Sequence, residues 1–207
     1  MDWRKSILNG EDKMKLSILI PSLPESQHYL NRLMSILNPQ IVEGVELIIN
    51  NAPRSVPTGT KRNQMISDCS GEYFSQIDVD DIPSGFYVSE MLKAIEQGPD
   101  VITFNGFMTT DGINRRDFTI KLGENYEERN GKYYRYPNHL CGFKKAVVGH
   151  IKFRPIWVQE DYFYATELRD KNILKTAVHI EKEMYHYDFI DKNKKVNTVQ
   201  SRRTRLR

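Results

Sequence analysis

The sequence predicts an α/β fold: one compact domain on an open, mostly parallel sheet with helices on both faces. Three observations predict it. Short apolar runs alternate with amphipathic segments through the first half, as strand, helix, strand, helix, strand, helix, strand. The 207 residues suffice for one domain or two closely packed halves. The composition, 39% hydrophobic and 28% charged, suits a globular core, and no apolar run approaches the roughly 20 residues of a membrane helix.

Each element follows in order. "KLSILIPS", 15–22, is a buried strand closed by a Pro-Ser turn. In 27–38, Leu30, Leu33, Met34 and Leu37 recur at helical spacing. "GVELIINN", 44–51, is the second strand. "TGTKRNQMISDCSG" gives a glycine turn and a helix from about Lys61 to Cys69, closed by Gly71. "EYFSQIDV" is the third strand. "PSGFYVSEMLKAIEQG" is a helix with Pro83 near its start and Gly98 near its end. "DVITFNGFMT" is the fourth strand.

The second half reads differently. Residues 117–143 predict strands around a turn at Asn130-Gly131. A short helix near Lys144–Gly149, a helix near Asp161–Lys171 and a strand near Ile173–Ile180 follow. The expected organisation is an extension at 1–14, a nucleotide-binding half at 15–110, an acceptor-binding half at 111–190 and a basic tail at 191–207. The N-terminus has no apolar signal core, and Cys69 and Cys141 lack metal-type spacing. A cytoplasmic chain with two reduced cysteines is expected.

The net charge of +3 is unevenly spread. Lys192, Lys194, Lys195, Arg202, Arg203, Arg205 and Arg207 make 192–207 a +7 tail, which leaves −4 for the rest. An acidic body with a basic tail points to a polyanionic partner. A solubilising end or a contact with anionic lipid is the plainer reading.

The chemistry concentrates at "YFSQIDVDDIP", 73–83. Residues i and i+2 of a strand share a side, so Asp78 and Asp80 would face one ligand. Mg²⁺ or Mn²⁺ takes one or two carboxylates plus substrate phosphates, and a metal-bound nucleotide diphosphate would neutralise the pair. Asp81 would cap the helix beginning near Pro83. Upstream, Lys61, Arg62 and Asn63 open a helix that offers amides and cations to an anion. Downstream, Glu160 and Asp161 stand at a helix start, where acids also simply complement the dipole. His186 lies between aromatics in "YHY", as a ligand or as a packed side chain. His28, His139, His150 and His179 show no ligand spacing and receive no role.

These stretches, with "GFKKAV", "IKFRP" and "QEDYFYATEL", resemble the family-two glycosyltransferases of the GT-A (Rossmann-like) fold, from about Lys15 to Asp188. The resemblance extends to small phage-type enzymes that modify DNA. It implies a nucleotide pocket of Pro21, Ser22, Glu25, Asn50, Asn51, Gly59, Arg62, Asn63 and Val79, with Asp78 beside the ribose. It implies a metal held by Asp80, with Asp78 and His186, and Asp161 as catalytic base. A UDP-sugar donor and direct displacement with inversion follow from it. The acceptor it leaves open between a hydroxymethylated base in DNA, reached through the basic tail, and a surface polysaccharide or lipid-linked sugar. A non-catalytic nucleotide-sugar-binding protein or a nucleotidyltransferase is the alternative of another class.

Overall fold

A computed structural model describes residues 14–189; the basic tail and residues 1–13 lie outside the described residues. β1 (Leu16–Pro21) is buried along its whole length, as an unbroken apolar run requires. It pairs in parallel with β2 (Val45–Asn50) on one side and β3 (Tyr73–Gln76) on the other. α1 (Gln27–Leu37) follows a 3-10 turn at Pro24–Ser26 and buries Leu30, Leu33 and Leu37. α2 (Thr58–Asp68) joins β2 to β3. The chain steps one way from β1 to β2 and the other way from β2 to β3, so right-handed crossovers put α1 and α2 on opposite faces. The reversal opens a crevice beyond the carboxyl ends of β1 and β3, where such sheets bind ligands.

α3 (Tyr87–Ile95) leads into β5 (Val101–Thr110). β9 (Gly142–Lys144) runs antiparallel to both β3 and β5 and lies between them, so β3 and β5 share a direction. β10 (Ala177–Phe189) lies parallel to β5 along its length. β6 (Ile113–Ile120), β8 (Lys132–Arg135) and β7 (Glu127–Arg129) widen the sheet beyond β5. The result is one open, mixed sheet, mostly parallel at its centre. β7 and β8 are joined at Asn130 (φ 53°) and Gly131 (φ 75°), the two left-handed residues of the predicted hairpin turn. α4 (Lys145–Val148) and α5 (Glu160–Asp170) complete the described elements. No helix among the described residues is long and apolar enough to cross a membrane. Cys69 and Cys141 are buried free thiols.

Four boundaries differ from expectation, each for a physical reason. α2 begins at Thr58, because the Thr60 and Lys61 amides already donate to the Pro57 carbonyl and close the first turn there; Gly59 within that turn leaves no room for a Cβ, which would sit 1.8 Å from the Arg154 carbonyl oxygen. β3 stops at Gln76, because the chain turns at Asp78–Asp81, where the Asp81 amide donates to the Asp78 carbonyl at 3.0 Å. Pro83 is in a strand rather than a helix: β4 (Ile82–Pro83) pairs antiparallel with β10. The last strand starts at Ala177 and runs to Phe189, because its register is set by β5, with irregularities between Ile180 and Tyr185.

Candidate active site

Two cavities open at the carboxyl ends of β1 and β3. The first, about 570 Å³, is walled by Pro21 at the end of β1 and Ser22 just after it, Val79 and Asp80 after β3, and Thr58 at the start of α2. Lys61 is buried beside it. Its ammonium donates to the carbonyls of Ser22 (2.7 Å) and Ala52 (2.5 Å), pinning the ends of β1 and β2 together. Burial lowers its pKa below the ordinary lysine value. At the rim, Arg54 pairs with Glu25 at 3.1 Å and accepts the Trp157 indole N–H on its carbonyl at 3.0 Å. The loops at 51–57 and 154–159 thus meet over the cleft.

The second cavity, about 390 Å³, lies on the other side of Asp78. Tyr126, Tyr133, Arg135, Asn138, His139 and Asp161 line it. Arg62, Asp78, Trp157, Val158, Glu160 and Tyr187 line both cavities, so they form the partition.

Arg62 organises the partition. Its guanidinium is buried and donates to Asp78 Oδ1 (2.8 Å), Gln76 Oε1 (2.9 Å) and Glu160 Oε1 (3.1 Å). Burial opposes the charge, but Asp78 and Glu160 outweigh it and hold the arginine pKa above its usual value. For Asp78, burial pushes upward and the Arg62 and His139 contacts prevail, keeping the carboxyl well below the usual range. Asp81 goes the other way. It is buried, accepts from the Tyr185 hydroxyl (2.7 Å) and the Asp188 amide (3.2 Å), and burial together with the Asp78 charge raises its pKa. It therefore ties β10 to the β3–β4 turn and does not cap α3, whose N-terminus has no side-chain cap.

His139 stands between Asp78 and Asp161. Its Nε2 lies 3.2 Å from Asp78 Oδ2 and its Nδ1 3.6 Å from Asp161 Oδ2. Asp161 projects from the first turn of α5 after Gln159, which enters the helix with φ 67°, a left-handed conformation costly for a non-glycine residue. The neighbouring Glu160 is buried against Arg62, so the two acids of the "ED" pair are divided between a structural ion pair and the open chamber.

Several expected residues stand elsewhere. His186 lines neither cavity: its Nε2 is bound to Thr109 Oγ1 at 2.7 Å and its ring stacks on Phe107. Among the described residues no group of three or more His, Cys, Asp or Glu side chains is arranged to hold a metal ion. Asn63 faces away from the cleft, its carboxamide exchanging two hydrogen bonds with the Phe153 main chain. Gly59 admits the Arg154 carbonyl and does not line the cleft. Asn50 Oδ1 accepts from the Ala52 amide, and neither Asn50 nor Asn51 lines either cavity. His139 was unsignalled in the sequence: it is a lone histidine in "YPNHL", and only the fold brings it to the carboxylates.

No model of a known protein family matches the sequence, and no curated protein matches it. Solved structures do. S. aureus TarS 1–349 in complex with UDP aligns with a TM-score of 0.61 at 16% identity, over 84% of this chain and 60% of that one. Its complex with UDP-GlcNAc aligns at 0.62 and 16% identity, over 84% and 58%. A longer S. aureus TarS structure aligns at 0.60 and 16%, over 84% of this chain and 37% of that one. The chain thus spans less than two thirds of the length of these structures. The likeness is one of backbone architecture: the protein has a fold similar to that of S. aureus TarS.

Proposed function

We propose that the protein is an inverting glycosyltransferase that moves a sugar from a UDP-sugar to an acceptor hydroxyl. The observation that carries the reading is the partition: two cavities meet at Arg62, Asp78 and Glu160, and a chamber carboxylate, Asp161, stands across from the cleft. The fold shared with a protein crystallised with UDP and UDP-GlcNAc supports the choice of donor. In this reading the nucleotide lies against Pro21, Ser22 and Val79, with the diphosphate near the start of α2 and Lys61. Glu25 acts at the rim by holding Arg54.

A divalent Mn²⁺ or Mg²⁺ fits this donor set in one place. Asp80 is exposed and lines the cleft, and one carboxylate with substrate phosphates suffices for such an ion. When bound, the ion would neutralise charge on the departing diphosphate. Asp161 takes the proton of the attacking hydroxyl as general base. The bond from oxygen to the sugar carbon forms on the face opposite the departing phosphate, which inverts that carbon.

The acceptor we propose is a hydroxymethylated base in DNA, on the strength of the +7 segment at 192–207. The chamber, about 390 Å³, carries the aromatic side chains Tyr126, Tyr133 and Trp157 in its lining. The test is a screen of nucleotide sugars for binding, then mass spectrometry on hydroxymethylated DNA, polysaccharide and lipid-linked acceptors. A mass gain of one sugar on DNA is the expected result. Gain on a carbohydrate or lipid alone overturns the acceptor and keeps the activity. Absence of both nucleotide-sugar binding and transfer overturns the activity itself.

A further inference from the structure

Alternation along β8 sorts its side chains between two faces. Tyr133 and Arg135 line the chamber, while Tyr134 carries Arg129 over its ring at 3.7 Å. The parallel register sets Tyr133 beside Phe118 and Arg135 beside Ile120 of β6, and these two also line the chamber. Arg116 lies two residues before Phe118, on the same face, and its register partner on β5 is Met108. Met108 and Tyr133 also line a third hollow, of about 500 Å³, together with Arg115 and Arg116 and with no acidic residue. One face of the sheet thus runs from the chamber to this hollow, with Tyr133 at the junction. An arginine from each side lies over the Tyr133 ring: Arg135 at 5.2 Å from its centroid and Arg116 at 5.6 Å.

The arginines of this face are held differently. Arg116 donates to Glu128 Oε1 (2.9 Å) and to the Tyr133 hydroxyl (3.1 Å), and Arg115 pairs with Asp117 and Glu183. These pairs are exposed, so they are worth little in water and exchange readily for another anion. Arg135 has no such pair. Its guanidinium lies over the rings of Tyr126 (5.3 Å) and Tyr133, and it makes neither an ion pair nor a side-chain hydrogen bond among the described residues. The two aromatic faces hold the cation and leave its five N–H donors for a ligand. That planar fork matches the oxygens of a phosphate.

We propose that Arg135 binds a backbone phosphate of a single DNA strand beside the nucleotide that enters the chamber, and that the strand crosses Tyr133 into the hollow, where Arg115 and Arg116 take a second phosphate. This rests on the glycosyl-transfer reading above and gives its acceptor a binding surface on the described fold. Charge favours a phosphodiester chain over a neutral glycan, because the hollow is lined by two guanidinium groups and no carboxylate. The interleaved rings favour a nucleic acid: Tyr126, Tyr133 and Trp157 line the chamber, and unpaired bases stack on such side chains whatever their sequence. A base inside a duplex is stacked out of reach, so the modified nucleotide comes to Asp161 single-stranded or turned out of its helix.

The test is binding of a short single-stranded oligonucleotide carrying a hydroxymethylated base, followed by fluorescence anisotropy from about 50 to about 200 mM salt. In the full chain, Arg135→Gln is expected to weaken binding about tenfold and to reduce the slope of log affinity against log salt by about 0.7, the share of one phosphate. Arg116→Gln should lower the slope similarly, from a side chain that is 48% exposed and carries little of the fold. Arg129→Gln is the control: this arginine belongs to the same hairpin but lines neither the chamber nor the hollow, and its removal should leave the slope at the parent's. UDP affinity by calorimetry should equal the parent's in all three, which reports an intact fold. A parent-like slope in Arg135→Gln or in Arg116→Gln overturns the proposal, as does an equal loss in Arg129→Gln. If Arg135→Gln does not fold, Arg116→Gln decides by the same slope. Sugar transfer to a phosphate-free glycan, with no DNA affinity at about 50 mM salt, overturns the proposal and keeps the glycosyltransferase reading. Absence of UDP-sugar binding and transfer in the unsubstituted protein instead rejects that reading.

Discussion

Asn63 and Phe153 hold each other by two hydrogen bonds: the Asn63 Nδ2 donates to the Phe153 carbonyl at 2.8 Å, and the Phe153 amide donates to Asn63 Oδ1 at 2.9 Å. This ring fastens the segment leading to Trp157 onto α2. Trp157 lines both cavities, so the bond reaches function through the position of a loop. Asn63→Ala removes both bonds and leaves two main-chain groups without partners. We expect a stability loss of about 2–3 kcal/mol by urea unfolding, with weaker nucleotide-sugar binding. Unchanged stability with lost binding would show instead that Asn63 meets the nucleotide directly.

Gly59 makes the neighbouring contact. Its amide donates to the Ile156 carbonyl at 3.1 Å, and a methyl group at its Cα would overlap the Arg154 carbonyl oxygen. Main chain on both sides cannot yield as a flexible side chain can. Gly59→Ala is expected to cost at least about 2 kcal/mol and to lower the melting temperature. A melting temperature equal to the parent's would disprove the close approach.

The ion pair of Arg62 and Asp78 predicts a pH dependence. The folded Asp78 carboxyl lies below its ordinary value of 3.8, so its contribution is fully present above the unfolded pKa and is lost as pH falls through the folded one. Asp81 runs oppositely: its raised folded pKa means its contribution is present below 3.8 and is lost as pH rises through the folded value. Asp78→Asn should therefore cost about 2–3 kcal/mol at pH 7, somewhat under the range for a fully buried pair because the side chain is 28% exposed. The gap to the parent should narrow as pH drops below about 4. Chemical unfolding from pH 3 to pH 8 checks it, and a gap constant across that range would contradict the pairing.

The strands that carry the site were legible because burial demands apolar runs. β1, β3 and β5 appear as such runs, β2 as an apolar run that is only half-buried at the sheet edge, and their order along the chain implied the parallel sheet. β9 was not legible: three residues inserted between β3 and β5 leave no periodicity to read. β10 was misplaced because its polar stretch at 181–183 hides a strand whose register is imposed by β5. At the site, cavities do open at the carboxyl end of β3, but the shared side of Asp78 and Asp80 assumed that the strand continued through them. It ends at Gln76, and the turn gives the three aspartates different surroundings: Asp78 in the partition, Asp80 at the cleft, Asp81 buried under Tyr185. His139 lies 61 residues from Asp78 in sequence, and no local signal connects them.

Asp80 and Asp161 separate two halves of the proposed reaction, because they stand in different cavities. Asp161→Asn preserves shape and removes the base. It should lower kcat about 10²–10⁴-fold while UDP-sugar binding, measured by calorimetry with Mn²⁺, stays at the parent's affinity. Asp80→Ala should do the reverse in binding: the enhancement of UDP affinity by Mn²⁺ should disappear, with metal-free affinity unaltered. A nucleotidyltransferase would not need a base in the chamber, so full activity in Asp161→Asn would favour that class and remove Asp161 from the mechanism. A binding protein without catalysis would show the Asp80 effect alone and no turnover in any variant. Binding and rate thus respond to different aspartates only if nucleotide and acceptor occupy the two cavities as proposed.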